Sequence, residues 1–238
     1  MTNEEFIRLH RGEDTSVLAL KRVPEGVDLK FCLEQIKSRQ KAERKLPRWA
    51  AVEGLLFPPA LSMEQCSSQE TAHYKQRLVE RILPPQERNA MVDLTAGFGV
   101  DFSYLAMLFK QAVYVEQQAN LCEIAHHNMP LLGLGHAEIR CARCEEYLQE
   151  SGCADLIFMD PARRDGAGRK TVLLEDCTPC VTAMLTDLLD RCRYLLLKLS
   201  PMLDIHAALK TLKNVCEVHV VSVHGECREL LLLLDATE

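Results

Sequence analysis

The chain has 238 residues, 47% apolar and 26% charged, the make-up of a globular protein with one large domain and room for an appendage. No apolar run approaches the roughly 18 residues of a membrane span. The N-terminal MTNEEFIRLHRGEDTS lacks an apolar signal core, so its eleven cysteines read as reduced cytoplasmic thiols rather than a disulfide framework. A net charge of −6 excludes bulk attraction to nucleic acid. The basic residues are nonetheless concentrated: residues 37–48 hold six Lys or Arg against one Glu, and residues 163–170 hold four against one Asp. Such islands in an acidic chain point to local anion contacts, although charge runs often only face water.

Residues 1–76 read as a helical region. Leu29, Cys32, Leu33 and Ile36 recur at helical spacing, which predicts a helix over 29–46 with Lys30, Lys37, Lys41 and Arg44 on another face. Pro47 ends it. Phe57-Pro58-Pro59 breaks the chain, and residues 62–83 predict a second helix running to Pro84-Pro85.

From residue 90 the pattern changes to short apolar runs alternating with helical stretches. Strands are expected at Ala90–Thr95, Ala112–Glu116, Ala137–Cys141, Asp155–Met159, Tyr194–Leu199, Val218–Val223 and Glu229–Leu234. Helices fit Phe102–Lys110, Asn120–Met129, Leu174–Arg191 and Ile205–Leu212. Strand–helix alternation predicts a parallel sheet covered on both faces. Only His224-Gly225-Glu226-Cys227 separates the last two strands, too little for a crossover, so they form an antiparallel hairpin. The expectation is an α/β fold over residues 77–238, Rossmann-like, with seven mostly parallel strands and a C-terminal hairpin.

The first of these strands runs into Asp93-Leu94-Thr95-Ala96-Gly97-Phe98-Gly99-Val100-Asp101. A glycine loop between a first strand and a helix grips a nucleotide-type ligand. The dinucleotide fingerprint fails, because Phe102 stands where its third glycine belongs. A phosphate loop fails too, because no Gly-Lys-Ser/Thr follows. Asp93 and Asp101 repel phosphates and suit a ligand carrying an ammonium and a sulfonium, which is S-adenosylmethionine. The loop resembles the first motif of class I methyltransferases, D-x-G-x-G-x-G, with Thr95 at the first glycine. Glu116, ending the second strand, stands where that family binds both ribose hydroxyls. Arg143 or Cys144 occupies the usual place of an acid near the adenine amino group, with Glu145 a possible substitute. The expected cofactor contacts are therefore Asp93, Thr95, Gly97, Gly99, Asp101 and Glu116, with Arg143 and Cys144 at the adenine edge.

The fourth strand leads into Asp160-Pro161-Ala162-Arg163-Arg164. This resembles the D/N-P-P-Y motif of amine-methylating enzymes, in which the acid and the next backbone carbonyl accept hydrogen bonds from an exocyclic amine. Asp160 and Pro161 are the corresponding catalytic candidates. Arg163 replaces the aromatic that stacks on the base; a guanidinium can also stack or bind phosphate. Phe98 is another stacking candidate. Asp-Pro-Ala-Arg also resembles the D-P-P-R of 5-methyluridine-forming enzymes, but those need a cysteine after the fifth strand, where this chain has Lys198-Leu199-Ser200-Pro201. Cys177 and Cys180 near a helix start keep carbon methylation open but disfavoured. Paired with Cys141 and Cys144 they would make a Cys₄ zinc set, which their expected placement in a buried strand and a helix disfavours; no metal is expected.

The motifs Asp-Leu-Thr-Ala-Gly-Phe-Gly-Val-Asp, Asp-Pro-Ala-Arg-Arg and Lys-Leu-Ser-Pro-Met-Leu-Asp together resemble the bacterial THUMP-like domain methyltransferases. The resemblance reaches into Lys45-Leu46-Pro47 and Glu64-Gln65-Cys66-Ser67-Ser68. The first motif is also similar to that of small-subunit rRNA guanine-N2 methyltransferases. This implies methylation of a nucleobase amine in rRNA or tRNA. Arg163, Arg164, Arg169, Lys170, Lys41 and Lys45 would then contact the RNA. Members of the family often continue into a THUMP-like RNA-binding segment, and this sequence ends at Glu238, just after the hairpin. The rivals are a small-molecule or protein methyltransferase and a catalytically silent protein that binds cofactor and RNA.

Overall fold

The computed structural model describes residues 1–150, 152–163 and 174–237. Helices α1 (Asn3–His10), α2 (Thr15–Leu18), α3 (Leu29–Lys45), α4 (Pro47–Ala50), α5 (Ala60–Gln65) and α6 (Gln69–Ile82) come first. There follow β1 (Ala90–Asp93), α7 (Val100–Ala106), β2 (Gln111–Glu116), α8 (Ala119–Leu131), β3 (Ala137–Cys141), α9 (Cys144–Glu150) and β4 (Ala154–Met159). Two short strands, β5 (Ala162–Arg163) and β6 (Cys177–Thr178), pair antiparallel. The chain closes with α10 (Val181–Leu189), β7 (Cys192–Leu199), α11 (Ile205–Thr211), β8 (Val215–Val223) and β9 (Glu226–Asp235). Among the described residues no helix is long and apolar enough to cross a membrane.

The main sheet has seven strands in the order β3-β2-β1-β4-β7-β9-β8. The first five run parallel, and β9 pairs antiparallel with both β7 and β8. Its central strands are buried on both faces, which is why they read as unbroken apolar runs. Successive residues feed two cores: Leu196, Leu231 and Leu233 pack with α7 and α8, whereas Leu195, Leu197, Leu230, Leu232 and Leu234 pack with α9, α10 and α11. The N-terminal region joins the first core through Trp49, Met63 and Leu78 of its helices and Phe57 of the loop before α5. Phe6, Leu18, Cys32 and Ile36 form a small core of their own between α1, α2 and α3.

Local chemistry moves several expected boundaries. The helix expected over 62–83 is two helices. Cys66 and Ser68 are extended, and the Ser68 hydroxyl caps α6 by accepting from the Thr71 amide at 3.3 Å; serine favours such a cap over a helix interior. The boundary expected at residue 76 falls within α6. The helix expected over 174–191 begins only at Val181, because Pro179 cannot sit inside a helix. Asn120–Met129 lengthens to Ala119–Leu131, and Phe102–Lys110 shortens to Val100–Ala106. The final hairpin turns on His224-Gly225 alone, at φ 52° and 80°, a pair of positive angles that suits a two-residue turn. Glu226 and Cys227 already belong to β9.

Candidate active site

The carboxyl ends of the parallel strands open into a cleft of about 380 Å³, the size of a small-ligand site. Its glycine loop follows β1. Leu94 donates to the Phe158 carbonyl and Ala96 to the Val115 carbonyl, both at 3.0 Å, so the loop is stitched to β4 and β2. Gly97 and Gly99 have φ of 56° and 86°, a region L-residues avoid. A Cβ on Gly99 would stand 2.6 Å from Met129 Cε and 3.2 Å from Tyr114 Cε2, whereas one on Gly97 would meet nothing closer than 3.9 Å. Gly99 thus serves packing as well as the turn, and Gly97 the turn alone. The Tyr114 hydroxyl fixes the loop by donating to the Gly97 carbonyl. Glu116 lies beneath it, accepting from the amides of Gly97 at 3.0 Å and Gln118 at 2.8 Å.

Asp93 is buried, with one carboxylate oxygen accepting from the Thr95 amide at 3.0 Å. Its other oxygen, Oδ2, has no hydrogen-bond partner among the described residues. Burial pushes this carboxyl well above the usual range, and Asp101 and Asp160 push the same way. Thr95 joins the two motifs: its hydroxyl oxygen accepts from the Asp160 amide at 2.6 Å. The side chain at the first glycine position therefore ties the cofactor loop to the end of β4.

Asp160 does not stand alone. Lys198 Nζ lies 2.5 Å from its Oδ2 and 3.5 Å from Asp101 Oδ2. Asp101 also faces Lys75 at 3.0 Å, and Lys75 pairs with Glu229. Ser67 Oγ sits 2.6 Å from Asp101 and 3.1 Å from Glu229. Lys75, Ser67, Asp101, Lys198 and Glu229 are all buried, Lys75 completely. Enclosure raises the Asp160 carboxyl and Lys198 opposes that rise. Asp101 ends below the usual carboxylate range: burial raises it, but Lys75 and Lys198 more than offset this. The Lys198 ammonium is itself held above the usual lysine range by Asp160, Asp101 and Glu229 against the cost of its burial.

The cleft brings together Asp93, Thr95, Gly97, Gly99, Asp101, Glu116, Arg143, Cys144 and Asp160, with Pro161 buried beside Asp160. Arg143 is exposed and pairs with Glu145; Cys144 is buried, its thiol pushed up to about 12 by burial and by Glu145. Phe98 lines the cleft but is almost fully buried, its ring packed against Trp49 at 4.8 Å and Phe57 at 6.1 Å between ring centroids. Lys41 pairs with Glu64, and Lys45 donates to the carbonyls of Met63 and Glu64 at 3.0 and 2.7 Å, so both are held within the N-terminal helices. Arg164, Arg169 and Lys170 lie outside the described residues, and Arg163 is described only as part of β5. Among the described residues no three His, Cys, Asp or Glu side chains converge as metal ligands. Ser67, Lys75, Lys198 and Glu229 went unrecognised as site residues in the sequence. The available signal was polar residues embedded in apolar runs, Lys198 in Tyr194–Leu199 and Glu229 ahead of five leucines.

No protein-family model matches the chain, and neither does any curated protein. Among solved structures, a protein from Porphyromonas gingivalis assigned as a methyltransferase is 32% identical over 99% of this chain, with a TM-score of 0.85. The present chain spans 57% of that relative's length. A protein from Pyrococcus horikoshii assigned as an RNA methyltransferase is 13% identical, with a TM-score of 0.55 over 81% of this chain and 97% of its own. An S-adenosylmethionine-dependent methyltransferase from Agrobacterium tumefaciens is 16% identical, with a TM-score of 0.52 over 70% of this chain and 61% of its own. Strand order, the closing antiparallel hairpin and these likenesses identify the architecture as the Rossmann-like class I methyltransferase fold.

Proposed function

We propose that this protein is an S-adenosylmethionine-dependent methyltransferase acting on a nucleobase amine, guanine N2-like, in rRNA or tRNA. The observation that carries the reading is the bond from the Asp160 amide to Thr95 Oγ1, which holds an acceptor-binding carboxylate at a fixed offset from a glycine loop with flanking acids. The residues fit the cofactor. Asp93 Oδ2 is a buried acceptor without a partner among the described residues, suited to an ammonium. Glu116 is suited to ribose hydroxyls, and no lysine stands in the loop to favour phosphate. The motifs DLTAGFGVD, DPARR and KLSPMLD support a place among the bacterial THUMP-like methyltransferases. RNA methylases with the same fold support the choice of substrate.

S-adenosylmethionine supplies a methyl group already activated on a sulfonium, so the protein's work is positioning and electrostatics. Asp160 and the Pro161 carbonyl accept N–H groups of the acceptor amine and turn its lone pair toward the cleft. Asp160 then takes the proton that the methylated nitrogen sheds. The test is mass spectrometry of rRNA and tRNA nucleosides from cells with and without the gene. One methylated nucleoside should disappear; an unchanged set would overturn the RNA reading.

One observation favours a second reading, a small-molecule or protein methyltransferase: Lys41 and Lys45 are engaged inside the N-terminal helices rather than presented to a phosphate backbone. Lys37 and Arg44 of the same island are exposed, so the double change Lys37→Glu and Arg44→Glu separates the two. Lost RNA binding supports the first reading, and undiminished RNA binding the second.

A further inference from the structure

A cluster of charges lies at the floor of the cleft and directly behind it. Four acids and two lysines meet there from six elements or their ends: Asp93 at the end of β1, Asp101 on α7, Asp160 after β4, Glu229 on β9, Lys75 on α6 and Lys198 on β7. Lysine is rarely buried without a task for its charge. Lys75 is occupied by Asp101 and Glu229. Lys198 reaches past Asp101, at 3.5 Å, to Asp160, at 2.5 Å. The β4–β7 register sets this up: Met159 lies opposite Leu197, so the next residues, Asp160 and Lys198, emerge side by side at the cleft.

We propose that Lys198 is a positioning residue for methyl transfer: its ammonium holds Asp160 ionised and turns one carboxylate oxygen away from the acceptor, leaving the other for the amine. The proposal rests on the amine-methylation reading. In that reaction the nitrogen–carbon bond forms as the carbon–sulfur bond breaks, the electron pair leaves with sulfur, and the nitrogen's proton passes to the Asp160 carboxylate. A protonated Asp160 could neither aim the amine through that oxygen nor take the proton. The Asp160 side chain is 40% exposed in the open cleft, so water shares its stabilisation. An acceptor filling the cleft displaces that water and leaves Lys198 as the nearest compensating charge. Lys75 is farther off and already paired with Asp101 and Glu229, while Asp93 and Asp101 oppose ionisation.

The test compares wild type with Lys198→Met, Lys198→Gln and Lys198→Arg, using cofactor-product calorimetry to show that each folds. Carboxyl-¹³C NMR of aspartate-labelled protein, with Asp160 assigned through Asp160→Asn, reads the protonation of Asp160 without any turnover. Its midpoint should rise by about one pH unit in Lys198→Met and return toward wild type in Lys198→Arg. Turnover at neutral pH should fall by roughly 100-fold in Lys198→Met and recover as the pH rises, while the KM for cofactor barely changes. An unmoved midpoint, or a loss of kcat equal at every pH, overturns the proposal. Should Lys198→Met fail to fold, Lys198→Gln, neutral but still able to hydrogen-bond, carries the same test. Absence of methyl transfer to any RNA by wild type would overturn the amine reading alone, because the NMR midpoint still decides whether Lys198 controls Asp160.

Discussion

Two glycines, two residues apart, should respond very differently to alanine. Both have positive φ, and forcing an L-residue there costs roughly 1–2 kcal/mol. At Gly97 that is the whole cost, since its added methyl meets only the Thr95 carbonyl at 3.9 Å. At Gly99 the methyl must also find room 2.6 Å from Met129 Cε and 3.2 Å from a Tyr114 ring carbon. The Met129 terminus can rotate away. The Tyr114 ring cannot easily follow, because its hydroxyl is bonded to the Gly97 carbonyl and it packs T-shaped against Phe102, ring centroids 5.5 Å apart. Overpacking of this kind adds about 1–3 kcal/mol. Gly99→Ala should therefore lose roughly 2–5 kcal/mol, a fall in Tm of about 4–20 °C for a chain this long. Gly97→Ala should fall by only about 2–8 °C. Paired thermal melts by circular dichroism measure both. Equal Tm values for the two variants would refute the packing role given to Gly99.

Asp160→Ala should abolish turnover and leave cofactor affinity intact, read by methyl-transfer assay beside calorimetry; lost affinity would place Asp160 in the cofactor site instead. Lys75→Met leaves Glu229 buried without its ammonium and Asp101 with only Lys198, at 3.5 Å, and should cost about 3–5 kcal/mol, measured by urea denaturation. The depressed Asp101 carboxyl implies stability that is present above the unfolded carboxylate range and lost as the pH falls through the lower folded value. In Lys75→Met the acid limb of a Tm-against-pH curve should accordingly flatten. Asp93 has the opposite sign: its raised carboxyl means stability is lost as the pH climbs from the unfolded to the folded value. Asp93→Asn should thus melt higher than wild type at pH 8 while binding cofactor more weakly, and a lower melting point would contradict the account of the lone Oδ2.

The strands were legible because burial on both faces writes itself as apolar runs, as in Leu230–Leu234. The cofactor loop was legible because Asp93, Gly97 and Gly99 are neighbours in sequence and their spacing carries the geometry. The charge cluster was not. Lys75 and Glu229 are 154 residues apart and Lys198 and Asp101 are 97 apart, and no local pattern records which distant residues meet. Cys66-Ser67-Ser68 was absorbed into an expected helix because amphipathic spacing continues across it. Only the serine cap on α6 breaks it, which frees Ser67 to reach Asp101.

Ser67 and Lys75 bear on how the molecule can be divided. Both precede residue 77, yet their polar atoms contact Asp101 and Glu229 inside the sheet region. A shortened chain begun after α6 would keep every strand and the glycine loop. It would also confront two carboxylates across a gap with neither the ammonium nor the hydroxyl between them. The N-terminal helices thus act as a keystone: the chamber is complete only when the first third of the polypeptide has closed over the rest.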